Sequence, residues 1–372
     1  MQTVLTASAD YTELDNYLLQ SCAKCIFLVC GSSLGCLRIG AYFDSLEERL
    51  NIRVIRFSDF QPNPQYESAV RGAACFRENH CDLIAAVGGG SAMDVAKCIK
   101  LFSNMDSESH YLRQKIVPNG VPFLAVPTTA GTGSEATRFA VIYDQGEKQS
   151  VSDESCIPSA VLFDAGALKT LPLYQKKATM MDAFCHALES FWSVHSTQES
   201  RAYAASAIRT VLANMEGYLE NSDKGNANML RAANEAGKAI NLTQTTAGHA
   251  MCYKLTTLYG IAHGHAVALC NAVLFPYMLA HRELCIDSRG ANVLEEAYDG
   301  IAAAMNCVSP DHAAARFREI VQMLAMPAPA VKTASDIDML KTSVNQDRLK
   351  NHPVALTEEA LEMLYRQILH VK

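Results

Sequence analysis

Asp182 and His186 stand four residues apart in ATMMDAFCHALESFW, and His249 and His263 follow at a spacing of fourteen in AGHAMCYKLTTLYGIAHGHA. In a helix, a four-residue spacing puts both side chains on one face. A carboxylate on an otherwise apolar face needs a partner once buried. One carboxylate with three imidazoles makes a suitable shell for a divalent transition metal such as Fe2+, Zn2+ or Mn2+. A histidine on an apolar helix is also commonly a hydrogen-bonded core residue. Spacing alone leaves the two readings level, because four ligands from three segments need the tertiary fold to unite them.

A second group suits phosphate chemistry. The apolar run DLIAAV leads into Gly88, Gly89, Gly90 and Ser91, and AMDVAKCIKLF follows with helical period, placing Asp94 and Lys97 in its first turns. Glycine lets a backbone approach a pyrophosphate closely, and a helix N-terminus offers free N–H groups and a positive dipole end. The spacing fits neither of the standard nucleotide fingerprints. A plain strand-to-helix connection, however, rarely needs three consecutive glycines. After VPFLAVP comes a loop dense in hydroxyls and glycine, with Thr128, Thr129, Thr132 and Ser134. Two such loops at successive strand ends describe a dinucleotide crevice.

The elements that must carry these residues are legible as texture. Short apolar runs CIFLVC, NIRVIRF, DLIAAV and VPFLAVP alternate with amphipathic stretches such as YFDSLEERL and YESAVRGAACFRENH over the first 165 or so residues. That alternation implies a parallel sheet with helices on both faces, a Rossmann-like α/β domain. AVIYDQGEKQSV reads as a hairpin and SAVLFD as one more strand. Beyond LPLYQ the chain turns rich in Ala, Leu and Met with helical spacing, and MLRAANEAGKAINLTQTTAGHAM reads as one such stretch. We expect an α/β domain over residues 1–168, carrying the dinucleotide crevice, and an all-helical domain over residues 169–372, carrying the candidate metal ligands.

Composition narrows the function classes. The chain has 372 residues and a formal net charge of −7, with no dense Lys/Arg tract, which speaks against a nucleic-acid surface. No apolar run has the length of a membrane span, and MQTVLTASADYTELDNYL lacks the layout of a signal peptide, so a cytoplasmic location is expected. Thirteen scattered cysteines suit small buried hydrophobes better than a disulfide framework. The CxxC at Cys22–Cys25 precedes a strand, the wrong order for a thioredoxin-type motif.

GGGSAMDVAK, PTTAGTGSEAT, MDAFCHALES and the His249/His263 pair occur together in this order. That combination resembles the iron-containing (group III) alcohol dehydrogenase family, and the resemblance runs from about residue 24 to the C-terminus. It implies an N-terminal α/β domain for NADPH or NADH and a C-terminal helical, dehydroquinate synthase-like metal domain, assembled as a homodimer or larger oligomer. Carried over by motif, Gly89, Gly90, Ser91 and Asp94 would surround the pyrophosphate, and Thr128, Thr129 and Thr132 would contact the nucleotide. Asn63 and Lys148 match further nucleotide-side positions. Asp182, His186, His249 and His263 match the four metal ligands, with Fe2+ the family's usual metal.

Three departures stand out. The family's N-terminal strand and its glycine turn are expected to be missing. Gly31, followed by Ser32, occupies the position where NAD-preferring members carry an Asp, and losing that carboxylate favours NADP(H). Tyr253 replaces a histidine common in the family, with Lys254 after it, so Tyr253 joins the catalytic candidates. The segments ATRFAVIYDQGEKQS, ESFWSVHSTQESRAYA and AGKAINLTQTTAGHA are similar to the subgroup that reduces phosphonoacetaldehyde to 2-hydroxyethylphosphonate. An anionic aldehyde needs cationic partners, and Arg138, Lys238 and Lys254 are the candidates. Other short-chain alcohol dehydrogenases, a dehydroquinate synthase-like lyase and a non-catalytic binding protein are the alternatives.

Overall fold

The computed structural model describes residues 2–8 and 10–371. The chain divides into two compact units, Met1–Leu171 with Glu220–Asn234, and Pro172–Leu219 with Glu235–Lys372.

In the first unit the chain runs β1 (Thr3–Thr6), α1 (Thr12–Gln20), β2 (Cys25–Cys30), α2 (Arg38–Asp44), α3 (Leu46–Leu50) and β3 (Arg53–Phe57). It continues through α4 (Tyr66–Glu78), β4 (Leu83–Gly88), α5 (Gly90–Phe102), β5 (Phe123–Pro127), β6 (Phe139–Asp144), β7 (Glu147–Ser152) and β8 (Ala160–Phe163). Six strands form one parallel sheet in the order β1-β8-β5-β4-β2-β3. Every residue of β2, β4, β5 and β8 is buried, as expected for central parallel strands covered on both faces. Alternate residues then serve opposite faces. Ile26, Leu28, Leu83 and Leu124 pack with Leu14, Leu18, Ile39 and Phe43 on one side. Phe27, between them, meets Phe57 and Phe76 with ring centroids 5.6 and 5.7 Å apart.

The strand order reverses beside β2, which has β3 on one side and β4 on the other. Such a switch point leaves a crevice outside the carboxyl ends of the two strands, the usual ligand position in an open α/β sheet. The β6–β7 hairpin stands apart from the sheet and closes through Gln145 and Gly146, at φ +52° and +84°. Positive φ at both central residues gives the twist that a two-residue hairpin requires.

The N-terminal strand expected to be missing is present. Residues Thr3–Thr6 lie parallel to β8, with Thr3 opposite Ala160 and Thr6 opposite Phe163. Of these four residues only Leu5 is buried, so this short edge strand lacks the continuous apolar run that marks the central strands.

Helices follow: α6 (Leu173–Trp192), α7 (Gln198–Leu219), α8 (Asp223–Thr243), α9 (Ala247–Tyr259) and α10 (His263–Ala280). Then come α11 (Ala291–Ala304), α12 (Pro310–Met323), α13 (Asp336–Thr342), α14 (Gln346–Leu349) and α15 (Glu358–Ile368). Helix α6 is buried along most of its length, and its Phe184 and Trp192 pack edge-on or tilted against Phe317 and Phe275. A Cβ on Gly264 would lie 1.9 Å from the Ala178 carbonyl oxygen, so the start of α10 rests directly on the α6 backbone. The stretch through Gln244 is not one helix. It breaks between Thr243 and Ala247, with Gln244 at φ +58°, because the amide and hydroxyl of Thr246 bond a side chain of α6 instead of a helical carbonyl. Among the described residues, no helix is long and apolar enough to cross a membrane.

Candidate active site

Three helices of the second unit bring the proposed ligands together. Helix α6 supplies Asp182 and His186, α9 supplies His249, and α10 opens with His263. The Nε2 atoms of His249, His263 and His186 lie 3.5, 3.7 and 3.9 Å from Asp182 Oδ1. The rings of His186 and His249 stack with centroids 4.5 Å apart. Metal–ligand bonds of about 2.0–2.1 Å in a tetrahedral shell put neighbouring donors about 3.3–3.4 Å apart. Asp182, His249 and His263, whose donor atoms all lie within 4.8 Å of one another, therefore suit a shared ion, whereas His186 stands outside that group. Asp182 Oδ1 and His249 Nε2 are buried without a hydrogen-bond partner, a costly arrangement unless a cation joins them. The side chains of Asp182, His186 and His249 are 3–7% exposed, whereas His263 is 38% exposed and forms the open side. Burial opposes the Asp182 carboxylate, but the facing imidazoles hold it well below the usual range.

Behind this set lies a residue the sequence reading missed. Glu189 Oε1 sits 2.6 Å from His249 Nδ1 and accepts from Asn271 Nδ2 at 3.0 Å. Its other oxygen accepts from the Thr246 amide and hydroxyl at 2.6 and 2.8 Å. With both oxygens occupied, the carboxyl drops to about 2 although burial opposes its charge. His249, also opposed by burial, is raised to about 9 by Glu189 and Asp182. A carboxylate on the far nitrogen fixes the ring and strengthens its metal-facing nitrogen. A Cβ on Gly248 would fall 2.2 Å from Asn271 Oδ1 and 2.5 Å from Glu189 Oε1, so this packing requires glycine. The signal was available: Glu189 is seven residues after Asp182 and three after His186, on the same helical face.

In the first unit, the two loops meet at the carboxyl edge of the sheet. Cys30 pairs with Val87 and Gly88 with Pro127, so Gly31, Gly89 and Thr128 follow neighbouring strand ends. The Thr128 amide donates to the Gly88 carbonyl at 3.0 Å. Gly89 caps α5, and a Cβ there would lie 3.1 Å from Thr129 Oγ1; one on Gly90 would lie 3.1 Å from Thr132 Cγ2. Ser91 stands in the first turn of α5. Gly31 has open space where a side chain would project, and Ser32 beside it is exposed.

Lys97 locks the loops together. Its buried Nζ donates to Ser134 Oγ at 2.9 Å, Thr137 Oγ1 at 3.1 Å and the Phe139 carbonyl at 2.7 Å. Ser134 Oγ donates onward to Asp94 Oδ1 at 3.2 Å. Desolvation lifts Asp94 to about 6 while Lys97 opposes the rise. Asn63, at φ +58°, precedes Pro64, whose carbonyl accepts from Tyr143 at 2.8 Å. Tyr143 is the cross-strand partner of Lys148, so Lys148 lies on the hairpin that Pro64, next to Asn63, bonds.

Of the remaining candidates, Tyr253 stacks on His263 with centroids 5.8 Å apart, and burial raises its phenol to about 12. Arg138 pairs with Glu154 at 2.6 Å, and Lys238 pairs with Glu235 at 2.9 Å. Lys254 is half-buried on α9. None of the thirteen cysteines is joined in a disulfide; Cys22 is exposed and Cys25 is buried against Cys81 with Sγ atoms 3.3 Å apart.

Comparison with known proteins places this geometry. A phosphonoacetaldehyde reductase of Streptomyces viridochromogenes is 30% identical over 312 residues, covering 80% of this chain and 79% of that protein. A 1,3-propanediol dehydrogenase of Citrobacter freundii is 32% identical over 304 residues, covering 79% of this chain and 78% of that protein. An aldehyde-alcohol dehydrogenase of Streptococcus pneumoniae is 28% identical over 354 residues, 88% of this chain, and the chain spans 38% of its length. Among solved structures, sulfoacetaldehyde reductase from Bifidobacterium kashiwanohense in complex with NAD+ superposes with a TM-score of 0.86 at 24% identity, covering 100% of this chain and 98% of that one. The model for iron-containing alcohol dehydrogenase matches residues 2–165, and that for the Fe-containing alcohol dehydrogenase family, C-terminal, matches residues 176–369. The chain therefore belongs to the iron-containing alcohol dehydrogenase family.

Proposed function

We propose that the chain is a metal-dependent NAD(P)H oxidoreductase that reduces a small aldehyde to a primary alcohol, most specifically phosphonoacetaldehyde to 2-hydroxyethylphosphonate. The observation that carries the reaction class is the convergence of three Nε2 atoms on Asp182 Oδ1. The donor atoms of Asp182, His249 and His263 lie within 4.8 Å of one another and suit a divalent ion. His186, 3.9 Å from Asp182 Oδ1 but outside that group, would be the fourth ligand that the family motif implies. Fe2+ is indicated by the family, and Zn2+ or Mn2+ is compatible with the same chemistry. In this reading residues 1–168 serve the dinucleotide and residues 169–372 the metal.

When bound, the metal supplies Lewis acidity toward a carbonyl and the dinucleotide supplies the hydride. The protein's own residues do the rest. Gly89, Gly90 and Ser91 leave room and free amides for a pyrophosphate at the start of α5. Thr128, Thr129 and Thr132 offer hydroxyls, and Asn63, Lys148 and Asp94 would serve the nucleotide as the family motifs imply. Gly31 and Ser32 leave space for a 2′-phosphate, which supports NADPH. Glu189 orients His249. Tyr253 keeps its phenolic proton at neutral pH and can donate it beside His263.

The substrate assignment rests on similarity to the Streptomyces reductase, at 30% identity over most of both chains. It is tested by reconstituting the purified protein with Fe2+ or Zn2+ and following NADPH oxidation, then NADH oxidation, with phosphonoacetaldehyde, lactaldehyde, butyraldehyde and succinic semialdehyde. We expect the highest kcat/KM for phosphonoacetaldehyde, with NADPH preferred. Equal use of all four aldehydes overturns the substrate, and no reduced-cofactor oxidation with any of them overturns the class.

A further inference from the structure

An anionic aldehyde needs a cation near the metal set, and the cations first considered for that task are unevenly placed. Arg138 and Lys238 each carry a carboxylate partner. A different residue meets the requirement. Arg348, in α14, donates from Nη1 to Thr245 Oγ1 at 2.9 Å, and its Cζ stands 6.0 Å from the centroid of the Tyr253 ring. Among the described residues, no carboxylate pairs with its guanidinium.

Two independent routes tie Arg348 to the metal set, both within the second unit. Tyr253, under its guanidinium, stacks on His263. Thr245, which accepts from it, is followed by Thr246, whose amide and hydroxyl bond the Glu189 carboxylate that holds His249. The segment carrying Arg348 is itself fastened there. Asn351 donates to the Thr245 carbonyl at 3.3 Å and its own carbonyl accepts from Val194 at 3.1 Å. A guanidinium has five N–H donors in a fixed fork, of which one is committed to Thr245, and the fork matches a tetrahedral oxyanion.

We infer that Arg348 forms the anion subsite of this enzyme, taking the phosphonate or a like oxyanion group of the aldehyde while the carbonyl faces the open side at His263. The inference rests on the proposed reduction of an anionic aldehyde and adds the residue that would read the charge. Lys254 on α9 is the competing cation.

The test uses the metal-loaded protein with R348M, R348K and K254M. The readout is the ratio of kcat/KM for phosphonoacetaldehyde to that for butyraldehyde, with sulfoacetaldehyde as a second anionic probe. Calorimetric binding of 2-hydroxyethylphosphonate is measured alongside. In R348M the ratio should fall by about 30-fold or more, chiefly through KM, because a charge-assisted pair is lost. In R348K it should fall less, and calorimetry should follow the same order. A ratio within about threefold of wild type in R348M, or an equal fall in K254M, overturns the assignment while leaving the substrate reading intact. Sulfoacetaldehyde following phosphonoacetaldehyde marks a general oxyanion subsite; its insensitivity to R348M confines Arg348 to the phosphonate and overturns the wider class. If wild type shows no preference for either anionic aldehyde, the substrate reading fails and the subsite with it.

Discussion

Glu189 decides how His249 presents itself to a metal. In the metal-free protein the raised value of about 9 means that His249 carries a proton at neutral pH, and an incoming ion must expel it. The sign follows directly: affinity should climb by roughly tenfold per pH unit up to about pH 9, then level off. Titrating Zn2+ against a chromophoric chelator from pH 6.5 to 9.5 measures this slope. In Glu189→Gln the slope should be shallower, and at pH 9.5 binding should weaken by about 10- to 100-fold because the ring loses its charged orienting partner. A flat profile in wild type would count against the assignment. At this scale the sequence was readable where spacing encodes a face, as with Asp182 and His186. Glu189 shares that face and was readable too. Arg348 was not, because only the fold carries a four-residue helix near the end of the chain to Thr245 and Tyr253.

Among the elements, α5 and the loop after β5 behave as one body because Lys97 joins them. The amine is fully buried, and its three oxygen partners belong to the loop and the strand that follows it. Lys97→Met removes that cation and leaves Ser134, Thr137 and Asp94 to find other partners. Breaking a buried charged network of this kind costs about 3–5 kcal/mol, which urea denaturation will show as a lower midpoint. With the loop loosened, KM for NADPH should rise at least about tenfold while kcat changes less, and steady-state kinetics with varied cofactor separates the two. An unchanged KM would mean the loops hold their positions independently. The apolar runs that form β2, β4, β5 and β8 announced themselves because central strands are buried on both faces. Strand β1 did not, since at the sheet edge only one residue in four needs to be apolar. The break at Thr246 was equally silent, because its cause is a carboxylate from another helix.

At the scale of the whole molecule, the four side chains proposed to hold the metal belong to the second unit and the two loops proposed to hold the nucleotide to the first. Ligand effects on stability should divide the same way. A ligand at about 100 times its Kd adds about 2.7 kcal/mol to the state that binds it. Removing the metal with a chelator should therefore raise deuterium exchange in peptides covering residues 173–192 and 247–280. Peptides from 25–30 and 83–88 should respond instead to NADPH. Uniform deprotection of both sets on chelation would refute the division. The composition change after LPLYQ marks where the sheet-building chain ends, yet nothing in composition marks that residues 220–234 belong with the sheet unit. That return has a consequence in time. A chain leaving the ribosome N-terminus first cannot complete its sheet unit when Leu171 emerges; it must wait until Asn234 is out, with α6 and α7 already made. Asp182 and His186 thus leave the exit tunnel before the first unit is whole and before His249 has been made, so the proposed metal site cannot close until His263 has also emerged.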